Sequence, residues 1–163
     1  MKIRFADQSG FTLIESLVAM ALFAGGALVL ASMQAISMGK NVDANELTRV
    51  TNVASDMIER MQFNRQNVND YATINTTAGT PCPSTMPMTA RGDCLQWKAL
   101  LEDVNARLTN VQGTVTVTAT GPTSPPLNQR QVTVSVTWLG SINGASSIKR
   151  SKTVTVQTIV APE

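Results

Sequence analysis

The 163-residue sequence contains no histidine. Its absence removes Ser–His–Asp and Cys–His catalysis, together with the commonest metal ligand. Paired acids in a recognisable motif are missing too, so an enzyme is not expected, and neither a cofactor nor a metal site is predicted. Cysteine is scarce. Cys82 and Cys94 allow one intramolecular pair, and their spacing fits no zinc or redox motif. Aromatic residues make up only 4%, too few to surround Trp97 with a ligand platform, so Trp97 is assigned to a core. The basic residues form no cluster longer than that in Ile148-Lys149-Arg150-Ser151-Lys152. A net charge of +2 does not by itself point to nucleic acid, and no nucleic-acid partner is expected. Proline does not occur before Pro81, and no side chain from Leu17 to Met38 is ionisable.

That last gap is the dominant positive feature. Leu17 to Met38, at about 1.5 Å per residue, makes a helix of roughly 33 Å, which matches a bilayer core. Ala, Leu and Met favour the helix, and Gly25-Gly26 is its one weak point. Lys2 and Arg4 precede it and stay on the cytoplasmic side, which places the rest of the chain outside. The run is too long for the apolar region of a secretory signal and lacks a good small-residue cleavage pattern after it. Glu15 stands one turn into the apolar segment. A carboxylate there costs on the order of a few kcal/mol and marks a functional position by default. The simpler alternative is an acid that snorkels at a helix N-terminus, where the dipole favours it.

Ser9-Gly10-Phe11-Thr12-Leu13-Ile14-Glu15, behind a short charged leader and ahead of an apolar helix, resembles the type III signal of type IV pilins and pseudopilins. The resemblance implies a pilin-like α+β fold, with a long N-terminal helix on a small antiparallel sheet of three to four strands. It implies a leader, residues 1–10, cut between Gly10 and Phe11 by a prepilin peptidase, with N-methylation of Phe11. Residues 11–39 become the membrane and filament-core half of the helix, and residues 40–163 the head. Glu15 becomes the filament-assembly residue, its carboxylate pairing with the Phe11 amine of a neighbouring subunit, two charges that are costly apart in an apolar core. The partners implied are other minor pilins, the major pilin and an inner-membrane assembly platform. The chain would sit in the inner membrane with its head in the periplasm, then move to the pilus. The helix departs from the major pilins, which usually carry a kinking proline where this chain has Ser32.

Beyond the membrane-length run the helical pattern continues. Leu47, Val50, Ala54, Met57 with Ile58, and Met61 recur at spacings of three and four, so one helix is expected from about Phe11 to about Gln66. Asp56 and Arg60 stand i to i+4 and Glu46 and Arg49 i to i+3 on a face read as mostly solvated. The stretch Asp56 to Met61 followed by Asn64 is similar to the PilV family of minor pilins. Residues 67–89 read as a loop, with prolines at 81, 83 and 87. Behind a membrane-directed N-terminus, Cys82 and Cys94 are expected to form an extracytoplasmic disulfide across it. A second helix should start at Asp93 as N-cap with Gln96 three residues on, and carry a stripe of Trp97, Leu100, Leu101, Val104 and Leu108.

The period then changes to two. Thr114 to Thr120, Gln131 to Trp138 and Thr153 to Val160 alternate and predict three strands, one face on the helix and one in solvent. Residues 121–128 make a proline-containing connector, and residues 140–147, around Asn143-Gly144, a hairpin loop. Threonine suits a half-exposed pleated surface, so the Thr-rich face is assigned to solvent. Lys149, Arg150 and Lys152 read as charges that guard an edge strand. The function expected is that of a minor pilin in pilus assembly or initiation, near the tip. The alternatives are a minor pseudopilin of a type II secretion system and a tip-displayed adhesin or DNA-binding subunit.

Overall fold

The computed structural model describes residues 12–77, 80–106, 108–121, 128–142 and 145–162. The backbone divides into two compact units, Met1–Lys40 and Asn41–Glu163. One helix, α1 (Leu13–Phe63), contributes to both. It is long and apolar enough to cross a membrane by length and composition.

In the first unit every large apolar side chain from Leu13 to Met38 is more than half exposed. A helix that is apolar all round finds stable surroundings in lipid or against other apolar helices. Two of its three hydroxyls, those of Ser16 and Ser32, do not interrupt this surface. Ser16 Oγ donates to the Leu13 carbonyl at 2.8 Å and Ser32 Oγ to that of Val29 at 2.7 Å, so each is satisfied within the helix.

The second unit is an α+β head. The latter part of α1 turns Val50, Ala54, Met57, Ile58 and Met61 inward, the stripe expected from their spacing. Leu47 departs from it and stays half exposed. Helix α1 ends at Phe63 and a 3₁₀ segment, Arg65–Tyr71, follows, so part of the expected loop is helical. The chain then runs beside the sheet, with Asn75 bridged to Thr114.

Helix α2 spans Met88–Asn105, with Pro87 as its N-cap. The expected start at Asp93 is therefore wrong. Pro87, at φ −54° and ψ 149°, ends the extended connector, and the residues after it can enter a helix at once, proline being well placed at a helix start. Of the predicted stripe, Trp97, Leu101 and Val104 are buried, whereas Leu100 is partly exposed. Cys82 and Cys94 are joined in a disulfide, Cα to Cα 6.1 Å. It ties the proline-rich connector to α2 and closes a loop with a sequence separation of 12. Replacing both cysteines by alanine is expected to lower stability by about 3 kcal/mol, read as a lower urea midpoint of the full chain in detergent.

Three antiparallel strands complete the head: β1 (Thr109–Thr120), β2 (Gln129–Ile142) and β3 (Ala145–Val160), in the order β1-β2-β3. All three run longer than their alternating cores. The ladder continues through Leu139, Gly140 and Ser141, which pair with Ser151, Arg150 and Lys149. The expected eight-residue hairpin loop is thus a correction: β2 reaches Ile142 and β3 begins at Ala145. Residues 143–144 lie outside the described residues, as does most of the 121–128 connector. Register puts Val115, Val134 and Val156 in one rank on the helix-facing side and Thr114, Ser135 and Thr155 in the next rank on the other. Valine is buried or half-buried on the first side, and hydroxyls pair across strands on the second, Ser135 with Thr155 at 3.2 Å and Thr137 with Thr153 at 3.0 Å.

One close approach fixes α2 on the sheet. A Cβ at Gly113 would collide with the Trp97 ring and lie 2.9 Å from the Leu101 side chain, so β1 accepts the indole only where it has no side chain. Trp97 is fully buried, and its Nε1 donates to the Val53 carbonyl on α1 at 2.8 Å. One side chain thereby joins both helices to the sheet.

Candidate functional site

The predicted junction, Gly10 and Phe11, lies outside the described residues. From Thr12 onward the local chemistry is visible. Helix α1 begins at Leu13 and Glu15 falls in its first turn. The Glu15 N–H donates to Thr12 Oγ1 at 3.3 Å. In return Glu15 Oε2 accepts from the Thr12 N–H and from its hydroxyl, both at 3.4 Å. This is a reciprocal capping arrangement in which the acid at the third helical position reaches back to the cap residue. The sequence carries its signature, threonine and glutamate three apart before an apolar run, a local signal that the cost of the acid in a membrane masks.

The contacts are long. Good N–H···O bonds lie at about 2.7–3.2 Å, so Thr12 holds the carboxylate loosely. Glu15 is exposed and is the only ionisable side chain between Thr12 and Met38. Among the described residues these loose local partners leave most of its acceptor capacity open to a cation, and such a pairing strengthens as water is excluded.

The head organises its charges differently from a uniformly solvated face. Glu46 is a correction. Its Oε2 accepts from Trp138 Nε1 and from Lys152 Nζ, each at 3.2 Å, and its side chain is only 12% exposed. Arg49, expected to face it, instead donates to Asn45 Oδ1 at 2.8 Å. Lys152 also departs from the edge-guard reading. Opposite Trp138 in the register, its stem passes over Gly140 and its ammonium reaches Asp43 at 3.0 Å. Sequence spacing could not reveal this pairing, because the partners are about a hundred positions apart. Near the other end of α1, Asp56 and Arg60 form the expected i to i+4 pair at 2.7 Å. Arg60 also reaches Asp93 at 3.4 Å, and the Tyr71 hydroxyl donates to Asp93 Oδ2 at 2.6 Å. Among the described residues no group of three or more His, Cys, Asp or Glu is placed to hold a metal ion.

These contacts set the alkaline behaviour of the head. Burial alone would lower the Lys152 pKa, but hydrogen bonds and charge from Asp43 and Glu46 outweigh it, and the value is raised above its ordinary 10.5. Burial raises the Tyr71 phenol above its ordinary 10.0, its bond to Asp93 raises it further, and donation from Asn64 opposes this only in part. Both groups hold their protons more tightly folded than unfolded. The stability they contribute is complete below about pH 10 and is lost as pH climbs through the folded values. The urea midpoint is expected to be flat from neutral pH and to fall above about pH 10. Tyr71→Phe should make that fall shallower, whereas an unchanged slope in Tyr71→Phe would show that the phenol does not contribute.

Residues 6–31 match the family described as the prokaryotic N-terminal methylation motif. No curated protein and no solved structure matches the chain. The matched stretch contains Gly10, Phe11 and Glu15 and runs into the exposed apolar half of α1. The motif indicates a type IV pilin- or pseudopilin-like N-terminus, and the membrane-length helix and the α+β head fit a chain of that kind; the motif suggests membrane anchoring and prepilin peptidase processing.

Proposed function

We propose that the chain is a minor pilin that takes part in assembling or initiating a type IV pilus and enters the filament at or near its tip, as in the PilV family. The role is structural and not catalytic. The observation that carries it is Glu15: a lone, exposed carboxylate in an apolar helix, held among the described residues only at 3.4 Å. Insertion in lipid gives that group nothing to neutralise it, whereas a bundle of identical N-termini supplies one amine per subunit. The head faces the periplasm before assembly, and Gly10 and Phe11 form the cleavage and methylation junction. The absence of proline from α1 favours a minor subunit over a shaft subunit, whose helix must bend or melt locally.

Mass spectrometry of the mature chain is expected to find a methylated Phe11 at its start. Pili sheared from the cell surface should contain the protein in small stoichiometry. An intact Met1 leader in the mature protein would overturn the pilin reading. Correct processing with the chain absent from sheared pili would instead assign it to a secretion pseudopilus.

A further inference from the structure

The sheet has two edges, and the fold treats them differently. Along β1, the outer edge is approached by residues 74–76. The Thr76 N–H donates to the Gly113 carbonyl at 2.8 Å, the Val115 N–H donates to the Ile74 carbonyl at 3.0 Å, and the Thr76 hydroxyl accepts from the Gly113 N–H at 2.8 Å. Among the described residues nothing pairs with the outer edge of β3. An open edge presents a row of unmet N–H and C=O groups, and proteins usually blunt it with charge, proline or a covering segment. Here charge is confined to one end, at Lys149, Arg150 and Lys152. From Thr153 to Val160 the sequence Thr-Val-Thr-Val-Gln-Thr-Ile-Val has neither charge nor proline. Lys152 is already engaged with Asp43 and Glu46, and Lys149 donates to Thr109 Oγ1 at 2.9 Å. Within the unblunted stretch Ile159 is 61% exposed, on the side otherwise occupied by Thr153, Thr155 and Gln157.

We propose that residues 153–160 accept an added β-strand from a partner chain, with main-chain hydrogen bonds supplying affinity and alternate side chains supplying selectivity. The occupant is an uncharged, alternating segment that places an apolar residue against Ile159 and ends in acidic residues beside Arg150. The acidic flank follows from charge: Arg150 and Lys149 are exposed at that end of the edge. A second copy paired antiparallel through the same stretch would bring Glu163 opposite Arg150 in register, a single acid in place of an acidic flank, and self-association is therefore the competing outcome of the test. The inference does not depend on the filament reading.

The test uses the full chain in detergent and a fluorescently labelled, capped peptide of alternating threonine and valine that ends in paired glutamates. Binding read by anisotropy is expected, with affinity falling by about tenfold or more when the peptide's edge-facing backbone nitrogens are methylated. Ile159→Lys and Thr155→Lys, both at exposed positions, should weaken binding by a similar factor while leaving the melting temperature unchanged. Arg150→Glu should reverse the preference toward a peptide ending in lysines. Thr116→Lys, on β1, should have no effect. Binding insensitive to backbone methylation, or to Ile159→Lys, would overturn the proposal. So would a chain that self-associates through β3 and ignores the peptide.

Discussion

Replacing Trp97 by alanine is expected to destabilise the head by about 3–5 kcal/mol, the upper range for truncating a buried aromatic. The indole is fully buried, it fills the space that Gly113 leaves open, and its N–H satisfies a carbonyl of α1. Gly113→Ala approaches the same contact from the other side. The added Cβ would meet the ring and Leu101, and overpacking of this kind costs about 1–3 kcal/mol. The two effects should not add. In the Trp97→Ala background the ring no longer blocks the methyl at position 113, and Leu101, whose Cδ1 would lie 2.9 Å from it, can move into the space the indole leaves, so Gly113→Ala should cost far less and the coupling should exceed about 1 kcal/mol. Urea denaturation of the two single variants and the double variant measures this. Additive losses would mean that helix and strand are held apart by something other than this contact.

Glu15→Leu is expected to reduce the protein found in sheared pili by at least about tenfold, with its membrane level unchanged. Replacing the acid by an apolar residue removes a cost in the bilayer, so insertion improves if it changes at all. Any loss therefore arises at assembly. Thr12→Ala separates this role from capping. It removes the cap hydroxyl, at a cost of about 0.5–2 kcal/mol to the first turn, but leaves the carboxylate in place. It should enter pili far better than Glu15→Leu. Equal defects in the two variants would reduce Glu15 to a capping residue.

The parts of this fold that follow local periodicity were legible from the residues. Val50, Ala54, Met57, Ile58 and Met61 repeat at helical spacing and do face the core, and the Val–Thr alternation does sort into a helix side and a solvent side. Boundaries were less legible because each depends on a partner. Strands β2 and β3 lengthen each other beyond their alternating stretches, and α2 begins at a proline that also reads as loop. Charges were the least legible. Asp93 looked like an N-cap by its neighbours, yet it receives Tyr71 and Arg60 from distant elements. Glu46 and Lys152 looked like surface charges until folding placed them together over Trp138. At the N-terminus, Glu15 stands out as an anomaly, whereas Thr12 becomes visible as its partner only through the capping contacts of one short motif.

The anchoring of α1 in the head also has a mechanical consequence. Tension drawn along this helix would reach the sheet through Glu46 near the start of the head, and α2 through Val53 in its middle and Arg60 toward its end. These attachments are staggered along the axis and loaded side by side, so pulling shears them together and cannot peel them one at a time. The helix should therefore fail at its bare apolar half, or at its neighbours, before it slides out of the head.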